Sequence, residues 1–229
     1  MTEALEFDSI ELDLDGRKIL SSVYMKCEIG KVVGVLGRNG SGKSCMMKIL
    51  FGSMDAQHKH VRINGESLPE NYLRSRLFSY LPQENLIPSQ FSIGEAFKLF
   101  NVKVDHVGEF WPEISSSIAL KPDRLSGGTR RLVETILVLC SQAPYCLLDE
   151  PFTGVMPLYI EKMQEIIKKV KHHKGIILTD HLHRHVTAVA DSLYVLSNGC
   201  TYPARKIDDL VKFGYLHAMN EGPLPWKAL

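Results

Sequence analysis

The run Gly37-Arg38-Asn39-Gly40-Ser41-Gly42-Lys43-Ser44 has the residue types and spacing to hold a phosphate chain, GxxxxGK[ST]. The glycines let the backbone curl so that consecutive N–H groups face one anion. A helix beginning at its end adds a positive N-terminus. Lys43 is expected to reach the β- and γ-phosphates, and the Ser44 hydroxyl to bind Mg²⁺. Cys45 follows, in the first turn of that helix. Both the helix end and Lys43 favour a thiolate there, so a reactive, nucleotide-shielded thiol is one expectation. The other is an inert thiol facing the core.

A second group of residues, Cys146-Leu147-Leu148-Asp149-Glu150-Pro151, puts two acids at the end of an apolar strand. Open α/β sheets place ligands at such strand ends. Many strands end in polar residues, but downstream of a phosphate-binding loop this one reads as the other half of a nucleotide site. Asp149 is expected to hold Mg²⁺ through water, and Glu150 to polarise the attacking water.

These two features also suit small-molecule kinases. A further run, Leu125-Ser126-Gly127-Gly128, stands shortly before the acidic strand, and it separates the possibilities only through the family resemblance it carries. Ser126 and the glycines form a second helix N-terminus able to hold a γ-phosphate. With it the sequence resembles the ABC ATPase family, in which an LSGGQ-like signature faces the other subunit's P-loop across a dimer. The resemblance runs from about residue 5 to 216. It implies that Gln83, in Tyr-Leu-Pro-Gln-Glu, is the glutamine that contacts Mg²⁺ or water and couples the site to a permease. It implies that His181, in Thr-Asp-His, contacts the γ-phosphate. The motif style looks closest to ATPases of lipopolysaccharide export and branched-chain amino-acid uptake.

Four positions depart from the family pattern. Leu14 stands where many members stack an aromatic ring on adenine, so adenine binding is expected to be weaker or less selective. Thr129 replaces Gln or Glu after LSGG, which is expected to tune the signature. Met156 stands where an Asp helps the two sites of the dimer communicate. Cys45 replaces a Thr. Lys43, Ser44, Asp149, Glu150 and His181 are intact, which favours an active ATPase over a degenerate partner in a heterodimer.

The elements that must position these residues follow from periodicity. Segments 5–12 and 19–27 read as strands split by Asp15-Gly16, and 60–63 as a strand ending at the hairpin signal Asn64-Gly65. The short apolar runs 31–36, 77–81, 145–148, 175–179 and 193–196 read as buried strands, the last closed by Asn198-Gly199. Helical spacing covers 45–51, 158–173 and 182–190, and Ser92-Ile-Gly-Glu95 reads as a capping box. Strands alternating with helices imply an α/β fold with a largely parallel, helix-covered sheet. The resemblance makes this a P-loop NTPase fold of the ABC ATPase type, with an antiparallel β subdomain beside the central sheet. The whole chain, 1–229, is expected to form one ATPase domain, with a helical subdomain inserted at about 84–142.

Composition excludes several other classes. The 27 basic and 26 acidic residues nearly cancel and leave no footprint for nucleic acid. No apolar run approaches the ~20 residues of a membrane span, and the first residues lack the order of a secretion signal. The five cysteines contain no CxxC pair, which fits a reducing cytoplasm. His181, His183 and His185 would diverge on a helix, so no zinc site is expected. One nucleotide site and no long coiled-coil insert argue against the ribosome- and DNA-associated members. The resemblance thus implies an ATP- and Mg²⁺-dependent subunit that powers a membrane transporter by ATP-driven dimer closure and reopening. Its expected partners are an integral-membrane permease and a second ATPase, identical or related, on the cytoplasmic face of the membrane. A soluble, non-transport ABC protein is the alternative.

Overall fold

The computed structural model describes residues 3–69, 76–109 and 111–216; the tail around Trp226 lies outside them. The strands are β1 (Ala4–Leu14), β2 (Arg17–Glu28), β3 (Val32–Leu36), β4 (His58–Ile63), β5 (Glu66–Ser67), β6 (Phe78–Leu81), β7 (Tyr145–Asp149), β8 (Gly175–Thr179), β9 (Ser192–Ser197) and β10 (Cys200–Ala204). They form one sheet in the order β5-β4-β1-β2-β10-β9-β3-β8-β7-β6. From β9 to β6 all neighbours are parallel. From β5 to β2 all are antiparallel. The join is β10, antiparallel to β9 and touching β2 through Cys200 and Ser22.

The apolar runs of the central strands are continuous because both faces are covered. Along β3, Val32 and Leu36 enter one core while Val33 and Val35 enter the other. Along β7 and β8, Cys146, Leu148, Ile176 and Leu178 alternate in the same way with Tyr145, Leu147 and Ile177. This is the period-two consequence of pleating in a strand buried on both sides. Helix α1 (Lys43–Phe51) covers the second face with Met46, Met47, Ile49 and Leu50. The insert between β6 and β7 carries α2 (Ile93–Leu99), α3 (Val104–Gly108) and α4 (Gly127–Cys140), which pack with α5 (Pro157–Val170) on the first face.

Local signals produce the expected turns. Asp15-Gly16, Asn64-Gly65 and Asn198-Gly199 all have positive φ at both residues, the backbone that a tight hairpin needs. Ser92 caps α2, and the Glu95 carboxylate accepts the Ser92 N–H at 2.7 Å. Two expectations are corrected. The helix expected over 182–190 is only α6 (His183–Thr187). Its continuation is pulled into the sheet, because Asp191 N–H donates to the Val32 carbonyl and its carboxylate accepts the Val32 N–H. The helix expected to run to 173 ends at Val170 and tightens to a 3-10 turn. Strand β10 and the short helix α7 (Ile207–Lys212) were not anticipated. Pro203 weakens the strand signal of β10, and its register comes from the Asn198-Gly199 turn and its pairing with β9. Among the described residues no helix is long and apolar enough to cross a membrane.

Candidate phosphate and hydrolysis site

Strand β3 delivers the glycine-rich loop to the end of the sheet, and α1 leaves it. Gly42 is the N-cap of α1 with φ 99°, and no side chain caps the helix or places an acid in its first turn. Its positive end is therefore open to an anion. Gly37 cannot carry a side chain: a Cβ would stand 2.6 Å from Ser41 Oγ and 2.8 Å from the Leu196 carbonyl oxygen. The Ser41 hydroxyl is buried and has no hydrogen-bond partner among the described residues. A buried hydroxyl normally finds one, so the loop has the chemistry of a cradle for an oxyanion.

Lys43 is 5 % exposed, and its ammonium donates to the carbonyls of Gly37 at 2.8 Å and Arg38 at 3.3 Å. Burial pulls its pKa below the ordinary lysine value; Glu150, Asp149 and Asp180 oppose the shift. The ammonium thus sits on loop carbonyls within the field of three carboxylates.

Asp149 ends β7 wholly buried. Thr179 Oγ1 donates to its carboxylate at 2.7 Å and the Tyr80 hydroxyl at 3.3 Å. Burial raises its pKa, while hydrogen bonds from Thr179, Ser44 and Tyr80 pull the other way. A hydroxyl and a carboxylate in contact are hard oxygen donors of the kind that suits Mg²⁺. Glu150 follows with φ 50°, the left-handed region that costs a non-glycine residue about 1–3 kcal/mol. The strain is held by its N–H, which donates to the Thr179 carbonyl at 2.9 Å. It turns the carboxylate towards His181, whose Nδ1 is 3.6 Å from Glu150 Oε2 and 3.4 Å from Thr153 Oγ1. Asp180 beside it is buried, and its carboxylate accepts the N–H groups of Phe152 and Leu182.

Gln83, Lys43, Ser44, Cys45, Glu150 and His181 line one cleft of about 450 Å³. The folded chain thus brings together residues far apart in sequence. Leu14 is exposed at the end of β1 and lines neither this cleft nor the cavity of about 340 Å³ on the other side of the loop. Ile19 lines both. None of the signature residues enters the cleft. Ser126 and Gly127 are exposed at the start of α4, and Gly127 lines a different cavity of about 430 Å³ with Gln83, Arg131, Glu134 and Glu150. Ser126 Oγ lies 2.7 Å from Thr129 Oγ1 and accepts the Thr129 N–H. The departure at 129 therefore gives the signature serine an internal partner.

His181, His183 and His185 diverge: His183 meets the edge of Tyr215, and His185 meets the Phe152 ring. Sequence reading missed Tyr215, whose hydroxyl donates to the His181 carbonyl at 2.9 Å. It also missed Tyr80, Thr179 and Arg131. Of these only Arg131 left a readable signal, an Arg-Arg pair three and four residues before Glu134.

Cys45 is half-buried on the cleft wall. A small alkylating reagent is expected to label it in the nucleotide-free protein, and Mg-ATP to slow labelling by about tenfold at [ATP] ten times Kd, as mass action requires. Peptide mapping with and without nucleotide checks this. An unlabelled Cys45 in folded, empty protein would make it a packing substitute for threonine.

Comparison with known proteins points one way. A family model described as ABC transporter matches residues 20–153. A probable ABC transporter ATP-binding protein of Azorhizobium caulinodans is 31% identical over 208 residues, covering 80% of this chain and 70% of its own. The branched-chain amino acid transport ATP-binding protein BraG of Pseudomonas aeruginosa is 26% identical, with 85% and 89% covered. The lipopolysaccharide export ATP-binding protein LptB of Escherichia coli K12 is 28% identical, with 80% and 83% covered. A solved ATP-binding subunit of an ABC transporter superposes with a TM-score of 0.77 at 25% identity, covering 93% of this chain and 95% of its own.

Proposed function

We propose that this chain, which belongs to the ABC transporter family and is an ATP hydrolase, works as one half of a dimer that closes on Mg-ATP beneath a separate membrane permease. The observation that carries this reading is the separation of its two phosphate-binding ends. Lys43 and Ser44 line one cleft, while Ser126 and Gly127 stand exposed outside it. A second copy, or a related ATPase, bringing its own signature helix to the cleft would complete the site. Relatives named for lipopolysaccharide export and branched-chain amino acid transport support the link to a membrane partner.

In this reading residues 37–42 hold the phosphates through backbone N–H groups, and Lys43 leaves the Gly37 and Arg38 carbonyls to pair with the β- and γ-phosphates. Ser44, Asp149 and Gln83 would hold Mg²⁺, which would supply charge neutralisation to the phosphates. Glu150 orients the attacking water and accepts its proton. His181, 3.6 Å from the Glu150 carboxylate, donates to the γ-phosphate. Ile19, which lines the cleft where Leu14 does not, is the apolar candidate for the adenine face; it does not stack as an aromatic ring does. The missing acid at Met156, 55% exposed, removes one link between the two sites of the dimer.

Membrane association tests the transport role. The tagged chain is expected to co-purify from detergent-solubilised membranes with a polytopic protein in constant ratio. Recovery of the chain alone, or with ribosomes, would favour the non-transport alternative.

A further inference from the structure

One buried cation lies behind the cleft and belongs to none of the motifs above. Arg131, on the second turn of α4, is 9% exposed. Its Nη1 donates to the Pro82 carbonyl at 2.6 Å. Its Nη2 donates to the Asp149 carbonyl at 2.5 Å and the Glu150 carbonyl at 3.1 Å. Pro82 precedes Gln83, so one guanidinium ties the root of the glutamine loop to both peptide units that set the Glu150 backbone. Glu134, 1% exposed, stands behind it with Oε2 4.0 Å from Nη1. The other Glu134 oxygen accepts the N–H groups of Leu86 and Ile87 at 3.0 and 3.1 Å, and Arg130 donates to the Ile87 carbonyl at 2.6 Å. Both ends of the segment that carries Gln83 are therefore pinned to α4.

Glu150 needs such support. Its φ of 50° is unfavourable for a side chain with a Cβ, and a strained residue persists only where its surroundings over-determine it. On one side Thr179 fixes its N–H, and on the other Arg131 fixes its carbonyl. We propose that Arg131 is a positioning residue for hydrolysis, fixing the Glu150 carboxylate and Gln83 relative to each other with a single planar fork. A lysine cannot replace it, because one ammonium on a flexible stem cannot hold three carbonyls in a fixed plane. The proposal rests on the reading of Glu150 as the group that orients water, and the test separates the two.

Arg131→Lys in the full chain is expected to lower kcat about 10–100-fold, the scale of a roughly 1 Å misplacement. Affinity for a fluorescent ATP analogue should stay within twofold, because the phosphate cradle is untouched. Rates are normalised to stoichiometrically bound nucleotide, so unfolded protein does not count; Arg131→Gln provides a second variant. In a Glu150→Gln background, single-turnover hydrolysis should be insensitive to Arg131→Lys, since the group being positioned is gone. A wild-type kcat in both Arg131 variants would overturn the proposal. So would an equal fold-loss with and without Glu150, which marks a general structural role. Glu150→Gln turning over at the wild-type rate would instead sink the reading of Glu150 itself.

Discussion

Glu150→Gln is expected to slow steady-state ATP turnover about 10²–10⁴-fold, the range for losing a positioned acid–base group. The amide is nearly isosteric with the carboxylate, so it keeps the contact with Thr153 Oγ1 but can no longer accept a proton from water. Nucleotide binding should survive, because it rests on the loop N–H groups and on Lys43. ATP should then accumulate unhydrolysed, and the closed dimer with it. In sedimentation velocity, Glu150→Gln protein at saturating Mg-ATP is expected to run as a dimer and to return to monomer when nucleotide is removed. A monomer under those conditions, with ATP demonstrably bound, would sink closure between two identical chains and direct attention to a related partner subunit. Turnover within threefold of wild type would remove Glu150 from the chemistry altogether.

The largest effect on binding is expected from Lys43→Ala. Hydrogen bonds to charged groups contribute about 1.5–3 kcal/mol each, and the ammonium is placed to serve two phosphates. The Kd for ATP should rise about 10²-fold or more. Electrostatics act in the same direction. Glu150, Asp149 and Asp180 all act on the ammonium, and removing it leaves three carboxylates to face an incoming polyanion. Lys43, Asp149 and Asp180 are buried, so salt screens them little and the loss should largely persist at high ionic strength. Titration of a fluorescent nucleotide at two salt concentrations checks both points, with circular dichroism confirming the fold. An affinity within threefold of wild type would mean that the backbone cradle alone holds the phosphates.

Much of the candidate site was legible because its parts are local. A phosphate cradle is one stretch of backbone, so glycine spacing and a following helix specify it within eight residues. The pleat makes a strand buried on both faces read as an unbroken apolar run, which is why β3, β7 and β8 were found with nearly correct ends. Turn chemistry fixed Asn64-Gly65 and Asn198-Gly199, since few residues accept positive φ. Element ends were less legible. The helix after His181 stopped early for a reason 159 residues away, the bond between Asp191 and the Val32 N–H.

The sequence by itself therefore determined the chemistry on offer: a loop for phosphate, two acids at a strand end, a signature helix start and a histidine. Tertiary structure alone decided how these meet. It put Ile19 on the wall of the candidate cleft and left Leu14 outside it. It turned Glu150 towards His181 through a backbone angle that no local pattern announces. It spent Arg131 on carbonyls 49, 18 and 19 residues away. Backbone carbonyls carry no residue identity, so a side chain that binds them leaves no matching partner to read in the sequence. Only the packing of α4 against β6 and β7 brings them within reach.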